Sequence, residues 1–232
     1  MKTALQAVLF CLLISTWFIG HDALSQIADS CSGGVKRERF DTAYVNRQLP
    51  RFILHTMVRE QCCTIDVFEA GRTDTIQRIV GEVEGYFPSD GLEIVDANFD
   101  GYKDIVVFYN AGNTTNEDYA FWLFNPRTRR FEYNQEFTEA VGCNPVVNEE
   151  DQTIYTGGMT GCLGMCYVSE TYEVHEDRLA LVERISQELV VEPTEHTQPI
   201  FVRTLERLKL GKLTVIARIQ GTIEEIDKKA EF

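Results

Sequence analysis

The sequence has few basic residues, and it lacks the common catalytic motifs. Its 232 residues include 22 Lys and Arg against 36 Asp and Glu, giving a net charge of -14. A nucleic-acid-binding protein needs a basic face to contact phosphates, so this balance excludes that class and argues against docking on an anionic membrane. The chain contains neither a Gly-x-Ser-x-Gly nor a His-Glu-x-x-His motif. We therefore expect a protein that is not an enzyme and whose acidity favours a basic partner.

Long apolar runs are also scarce, because only residues 4–19 form one. This run follows Lys2 and precedes the small residues Ala23 and Ser25, a pattern typical of a secretory signal peptide that is cleaved after residue 25. It is shorter than the roughly 20 residues that a membrane span needs, although an uncleaved anchor is the alternative. No second run of this kind follows, so we expect an exported protein with no membrane span in its mature chain.

Removal of residues 1–25 would leave six cysteines. An even count in an oxidising compartment predicts disulfide bonds, but the sequence does not determine the pairing. Cys62 and Cys63 are adjacent and are expected to bond to different partners, whereas Cys162 and Cys166 flank a short loop and either bond to each other or involve Cys143. A zinc site is the alternative, but the chain has no Cys-x-x-Cys pair. The disulfide candidates are Cys31, Cys62, Cys63, Cys143, Cys162 and Cys166.

The sequence predicts many short strands separated by turns. Residues 26–50 are polar and contain the charge run Lys36–Arg39, which predicts a flexible N-terminal segment. From residue 51 to residue 232, runs of β-branched and aromatic residues alternate with Gly, Asn, Asp and Pro, which predicts a single all-β domain of antiparallel strands and hairpins. Residues 135–141 and 223–229 are expected to form short helices.

The C-terminal part of the chain is basic, unlike the rest. Its positive charges are interspersed with apolar residues on both sides of a Leu210-Gly211-Lys212 turn. This pattern predicts a hairpin with a charged outer face and a structural role. The basic residues are Arg203, Arg207, Lys209, Lys212 and Arg218.

The sharpest motif is residues 96–104, where side chains that carry oxygen fall at positions one, three, five and nine. Gly101 stands at position six, where a sharp turn lets such a loop close around Ca²⁺, and Tyr102 offers its backbone carbonyl. An EF-hand would place Glu at position twelve, but Val107 stands there within a predicted strand. A turn without any ion is the alternative. The predicted calcium ligands are Asp96, Asn98, Asp100, Tyr102 and Asp104.

This loop resembles the single calcium-binding loops of the FG-GAP and VCBS repeat class. Further motifs follow it in an order similar to that of a family of exported bacterial proteins with one such repeat, and the resemblance covers roughly residues 62–220. The family includes a periplasmic immunity protein that inhibits a lysozyme-like effector delivered by a type IV secretion system. The motifs that follow the loop are Tyr119–Phe124, Asn125-Pro126, Arg130-Phe131, Asn144–Asn148, Thr153-Ile154, a Gly-rich segment ending at Tyr167, Tyr172–Val174 and Leu179–Val182.

The resemblance implies a β-propeller-like fold, a periplasmic location, bound Ca²⁺ and a basic muramidase as partner. It also implies that a glycine-containing loop enters the muramidase cleft, with a tyrosine nearby. The matching segment is residues 157–167, which departs from the family pattern because Thr160 replaces an expected serine and two cysteines bracket the tip. A glycine-rich hairpin without a partner is the alternative. The candidate inhibitory residues are Thr160, Gly161, Gly164 and Tyr167.

Other functions fit parts of the same sequence. The acidic segment 132–151 either lies beside the glycine-containing loop, where it would steer the protein towards a basic enzyme, or is a solvated face. Plentiful carboxylates leave a glycosidase open as an enzymatic alternative. A calcium-dependent exported module that binds a protein other than a lysozyme is the remaining alternative.

Overall fold

The structure is a computed structural model that describes residues 31, 34–60, 62–82, 88, 91–111 and 116–230. Of the described residues, 61% lie in strands and 9% in helices, and all strand pairs are antiparallel. The all-β prediction is therefore confirmed. The predicted signal peptide, residues 1–25, lies outside the described residues. Neither α-helix in the described part of the chain has the length and apolarity that a membrane crossing requires.

Sheet 1 contains four consecutive strands that pair in sequence order. Alternate residues of its second strand, starting at Phe52, are buried, as expected for a strand with one face on the core. The strands are β1 (Arg37–Ala43), β2 (Phe52–Val58), β3 (Cys62–Glu69) and β4 (Thr75–Glu82).

Sheet 2 is a second four-stranded meander, followed by a short helix. The helix begins after Asn134, whose side chain accepts a hydrogen bond from the backbone N–H of Phe137 and so caps the first turn. The elements are β5 (Leu92–Val95), β6 (Asp104–Ala111), β7 (Glu117–Asn125), β8 (Arg130–Tyr133) and α1 (Gln135–Val141).

Sheet 3 is a six-stranded meander with a C-terminal helix. Thr222 and Glu225 form a reciprocal capping box at the start of that helix, which fixes its first residue. The elements are β9 (Val146–Asn148), β10 (Thr153–Gly161), β11 (Cys166–His175), β12 (Arg178–Val191), β13 (Ile200–Lys209), β14 (Lys212–Gly221) and α2 (Ile223–Lys229).

Two expectations are met only in part by the described residues. The described part of the chain forms three open meanders, and no closed barrel or propeller is detected among them. Within the segment predicted to be flexible, residues 37–43 form β1, which pairs with β2 from Arg37–Val58 to Ala43–Phe52. Its first four residues are exposed, so their charges conceal the strand pattern; charged side chains are common on edge strands.

Sheets 1 and 2 supply most of the main core, to which Ile154 and Val174 of sheet 3 also belong. The ring of Phe52 on β2 lies 5.7 Å from Phe124 and 6.4 Å from Phe131, in edge-to-face contacts across the two sheets. A second, smaller core lies in sheet 3, where Phe201 and Cys166 pack with Ile226 of α2. The helix α2 therefore covers the same end of sheet 3 at which β10 and β11 meet.

Amide side chains join the sheets at their boundaries. Gln77 of β4 donates to the carbonyl of Phe131 (2.6 Å) and accepts from its N–H (2.9 Å). Asn116 makes the equivalent pair with Met159 of β10, accepting from its N–H (2.8 Å) and donating to its carbonyl (3.0 Å). Each amide thus satisfies one donor and one acceptor of a strand residue, as a neighbouring strand would.

The same boundary explains Gly158 of β10. Residues 157–158 lie within the strand, not in a loop, and a Cβ atom on Gly158 would lie 2.9 Å from the Cys143 sulfur. Nearby, the Asn144 side chain donates to the Gly157 carbonyl at 2.8 Å. Glycine is required at residue 158 because Cys143 and Asn116 lie too close for a side chain.

We predict that Gly158→Ala lowers the free energy of unfolding by about 1–3 kcal/mol, because the added methyl group must displace Cys143 or Asn116. The matched control is Gly81→Ala on β4, where no atom lies within 4 Å of the added Cβ. That control should be neutral or stabilising by up to about 1 kcal/mol. Urea unfolding measures both, and equal effects of the two substitutions would contradict the assigned packing role.

Candidate functional site

The predicted calcium loop connects β5 to β6 and is organised by Asp104. This side chain is fully buried, and its two carboxylate oxygens accept hydrogen bonds from the backbone N–H groups of Ala97 (2.8 Å) and Phe124 (2.7 Å). The first bond closes the loop on itself, and the second ties it to β7. Asp104 is therefore a structural carboxylate of the loop.

The other predicted ligands lie along the same turn. Asp96 accepts from the N–H of Gly101 at 2.9 Å, and Asp100 accepts from the N–H of Tyr102 at 2.8 Å. Gly101 has a φ of +86°, which favours glycine at this position. The ring of Tyr102 stacks 5.8 Å from Phe124 on the core side. Asn98, the remaining predicted ligand, accepts from the N–H of Asp100 at 3.4 Å.

Sheet 3 contributes two carboxylates that sequence reasoning missed. Asp177, in the turn between β11 and β12, accepts from the Asn98 amide at 2.7 Å. Glu149, in the turn between β9 and β10, accepts from the N–H of Asp96 at 3.3 Å and forms an ion pair with Lys103. Both lie more than 40 residues along the chain from the loop residues they contact, so no local pattern could have identified them.

Burial, together with neighbouring negative charge, raises the pKa of two carboxyl groups in this loop, those of Asp104 and Asp96. Burial raises the pKa of Asp104 to about 7, with contributions from the charges of Asp100 and Asp96, against two backbone hydrogen bonds that lower it. Burial likewise raises the pKa of Asp96, opposed by the N–H of Gly101, while the charges of Asp100 and Glu149 raise it further. The Asp96 Oδ1 atom is buried and has no hydrogen-bond partner.

This arrangement fits a hard cation only in part. The donors are anionic oxygens, as Ca²⁺ prefers, and the buried Asp96 Oδ1 is a polar atom that a cation would satisfy. However, both Asp104 oxygens already accept backbone hydrogen bonds. Within the described residues, no group of three or more His, Cys, Asp or Glu side chains is arranged to hold a metal ion.

The predicted inhibitory segment forms a projecting tip between β10 and β11. Cys162 and Cys166 form a disulfide that closes a five-residue ring containing a single 3-10 turn. The backbone is left-handed at Gly161 (φ 136°), Leu163 (φ 54°) and Gly164 (φ 88°). Leu163, at the apex of the ring, is 100% exposed. The ring therefore presents a leucine in a conformation that L-residues seldom adopt.

The segment that forms the tip carries no charged side chain. No Asp, Glu, Lys or Arg occurs from residue 156 to residue 169, and Met159 and Met165 are 40% and 37% exposed on either side of the ring. Thr160 is also exposed. Tyr167 is half-buried at the base of the tip, where the guanidinium of Arg203 lies 6.0 Å from its ring centroid.

A chain of hydrogen bonds holds the tip against the end of sheet 3. The buried Gln187 donates to the carbonyl of Met165 at 2.6 Å and accepts from Arg203 at 2.9 Å. Arg203 in turn donates to Asp227 of α2 at 2.7 Å. The tip is thus fixed at both sides, by this chain at Met165 and by Asn116 at Met159.

The six cysteine candidates divide into two groups. Cys31 bonds to Cys62, and the ring disulfide forms within the tip, so four candidates are confirmed. Cys63 carries a thiol, so the prediction is wrong for that residue. Cys63 follows Cys62 in β3 and points to the opposite face, where it is buried in the main core, and burial raises its pKa to about 12. Cys143 lies at the boundary of sheets 2 and 3.

The acidic segment 132–151 is not gathered beside the tip. Its last residues, 149–151, precede β10, whereas the tip follows β10, so the two lie at opposite ends of that strand. Glu149 instead contacts the loop of residues 96–104. These acidic residues therefore attract a basic partner only through the overall electrostatic field of the protein.

No protein-family model and no curated protein matches this chain. A solved structure described as "Structure of a Xanthomonas Type IV Secretion System related protein" is similar, with 18% sequence identity and a TM-score of 0.49. The match covers 78% of this chain and 100% of that chain. A similarity of this size supports no inference about the function of this chain.

The raised pKa of Asp104 predicts how stability depends on pH in the presence of a chelator. Its pKa is about 7 in the folded state and near the ordinary 3.8 in the unfolded chain, so the folded state binds more protons between these values. Its contribution to stability is therefore present at low pH and is lost as the pH rises through about 7.

We expect the free energy of unfolding to fall as the pH rises from about 4 to about 7, and Asp104→Asn to reduce that slope. Asp74→Asn, an exposed aspartate before β4, is the matched control and should leave the slope unchanged. Denaturant titrations across the pH range measure this. Parallel curves for wild type and Asp104→Asn would contradict the raised pKa.

Proposed function

We propose that this chain is a periplasmic, calcium-binding inhibitor of a lysozyme-like peptidoglycan hydrolase, acting as an immunity protein. The observation that carries the proposal is the disulfide-closed tip between β10 and β11, which projects a fully exposed Leu163 between two exposed methionines. A narrow projection of this shape suits a concave partner such as an enzyme cleft.

The rigidity of the tip supports a role in binding. The ring disulfide, the Gln187 bond to the Met165 carbonyl and the Asn116 pair with Met159 all restrict the loop before it meets a partner. A loop that is already ordered loses less conformational entropy on binding, so more of the contact energy appears as affinity.

The chemistry of the tip also suits a muramidase cleft. Such a cleft contains two catalytic carboxylates, which would repel an acidic loop. The segment from residue 156 to residue 169 has no charge, so it approaches without that repulsion. In this proposal Gly161 and Gly164 let the backbone come close, the Thr160 hydroxyl supplies a polar contact, Leu163 fills an apolar subsite and Tyr167 contacts the rim.

The remainder of the protein contributes charge rather than contacts. A net charge of -14 would attract a basic hydrolase and speed association. The proposal assigns no catalytic residue to this chain. An exported module that uses the same tip to bind a protein other than a lysozyme is the second candidate, because an apolar projection fits any pocket of matching shape.

Calcium binding is proposed for the loop of residues 96–104. A cation beside Asp96 would satisfy its buried Oδ1 atom and offset the repulsion among Asp96, Asp100 and Asp104. Because that loop contacts two turns of sheet 3 through Asn98–Asp177 and Asp96–Glu149, the ion would stabilise the contact between sheets 2 and 3.

We predict that Leu163→Asn raises the inhibition constant about tenfold or more, because a buried anchor residue at an interface typically contributes this much. Asparagine tolerates the left-handed backbone, so the fold should be kept. A hydrolase is first captured from secreted fractions of the same organism on the immobilised protein. Its clearing of peptidoglycan is then measured in the presence of the wild type and of each variant. The matched control is Leu210→Asn, the same change at a second exposed leucine.

Three outcomes would contradict this proposal. Clearing of peptidoglycan by the purified chain alone would favour an enzyme. Capture of a partner that does not degrade peptidoglycan would favour the second candidate. Equal inhibition by the wild type and Leu163→Asn would exclude the tip as the inhibitory element.

For calcium, we expect the melting midpoint to rise on adding Ca²⁺ to chelator-treated protein. Saturation at 100 times the dissociation constant would add about 2.7 kcal/mol to the free energy of unfolding. Asp96→Asn should abolish the response, whereas Asp74→Asn should retain it. An unchanged midpoint of the wild type would show that the loop is a turn without an ion.

A further inference from the structure

The end of the β13–β14 hairpin is basic within an acidic protein. Residues 207–221 contain four basic residues and no acidic residue, although the whole chain has a net charge of -14. Arg207 is paired with Glu183 at 2.6 Å. Among the described residues, Lys209, Lys212 and Arg218 are exposed and take part in no ion pair. Arg218 pairs with Thr204, away from the turn, so the two positive charges of Lys209 and Lys212 remain available to an external partner at the hairpin end.

This hairpin end also separates from β12, which continues past the same point to its own turn with β11. The ladder between β12 and β13 stops at the Glu183–Arg207 pair, although β12 begins at Arg178 and β13 continues to Lys209. A register shift between Leu205 and Glu206 occurs just before this point in the β13–β14 ladder. The last residues of the hairpin therefore form a two-stranded projection that is paired only with itself.

The projection has one apolar face and one basic face. Leu208 pairs with Leu213, and the next pair is Lys209 with Lys212, so the two pairs point to opposite sides. Leu208 is 41% exposed, which leaves the apolar side open to solvent. Burial in the core of its own protein therefore does not stabilise the apolar face of this projection.

The turn at the apex of the hairpin has an unusual sequence for its backbone conformation. Leu210 (φ 52°) and Gly211 (φ 76°) form a two-residue turn with positive φ at both positions, where Asn-Gly is strongly preferred. The Leu210 side chain is fully exposed, with a relative accessibility of 107%. A leucine here is strained and makes no stabilising contact, which is characteristic of a residue retained for an external interaction.

We propose that this projection docks on an anionic lipid surface. Residues 208–210 extend about 10 Å beyond Arg207 at the rise of a β-strand, which matches the depth of roughly 5–10 Å reached by interfacial amphipathic elements. Leu210 and the Leu208–Leu213 face enter the acyl boundary. Lys209 and Lys212 stand directly beside the apex, where their ammonium groups reach lipid phosphates.

The chemistry favours lipid over an acidic protein as the occupant. An acidic protein would need a pocket shaped for the apical leucine, whereas a bilayer offers apolar depth beneath phosphates at any point on its surface. The overall negative charge opposes approach, but at physiological salt, charges act over only about 8 Å, so the local bases dominate at contact. This docking does not depend on the proposed inhibitor activity.

The experiment is cosedimentation of the protein, isolated in its exported form, with vesicles of phosphatidylglycerol and phosphatidylethanolamine. We expect binding that weakens with added salt and is lost on vesicles of phosphatidylcholine alone. Leu210→Asn should reduce the partition coefficient about tenfold or more through lost apolar burial. Lys209→Gln with Lys212→Gln should reduce it roughly fivefold per lysine.

Leu210→Asn also tests the fold, because asparagine is favoured in this turn and the melting midpoint should be unchanged or higher. Leu163→Asn, the same change at the other end of sheet 3, should leave vesicle binding intact. The proposal is overturned by equal binding of wild type and Leu210→Asn, by equal binding to both vesicle types, or by no binding. It is also overturned if Leu210→Asn abolishes self-association measured by light scattering, which would identify a second copy as the occupant.

Discussion

The fold depends on how three open sheets are joined without a shared strand. At the boundary of sheets 1 and 2, the Gln77 amide pairs with both backbone groups of Phe131, and at the next boundary Asn116 does the same with Met159. These amides satisfy strand groups that would otherwise be left without partners at a sheet edge. The second pair also fixes the position from which the β10–β11 tip projects, so the architecture and the candidate site share one contact.

Much of the fold follows from local sequence patterns. Among the described residues, the hairpins and the two α-helices occur where turn residues, β-branched runs and caps predict them, and α1 and α2 span the predicted residues. β1 was missed because charged residues on an exposed edge strand mask its alternation. Gly157 and Gly158 resemble a loop in sequence, yet they lie in β10, where Cys143 and Asn116 lie too close to Gly158 for a side chain. This close approach is a tertiary contact, which local sequence patterns do not predict.

The candidate sites are likewise predictable from local sequence only in part. The loop of residues 96–104 has the turn geometry that its spacing predicts, with Gly101 in the left-handed region. Its partners Glu149 and Asp177 come from hairpins of another sheet, and the tip is held by Gln187 and Arg203, which are distant in sequence. Local chemistry thus predicts where a site begins, whereas the long-range topology decides which side chains complete it.

The meander topology has a consequence for how this chain folds. In each sheet every strand pairs only with its neighbours in sequence, so most contacts are local and the contact order within a sheet is low. Each sheet can form soon after its own segment becomes available, before the amide bridges join it to the next. For the first sheet this order matters, because Cys31 has both Cys62 and Cys63 within reach as oxidation partners. Formation of β3 buries Cys63 and leaves Cys62 on the opposite face, so early strand pairing selects the native disulfide over its neighbour.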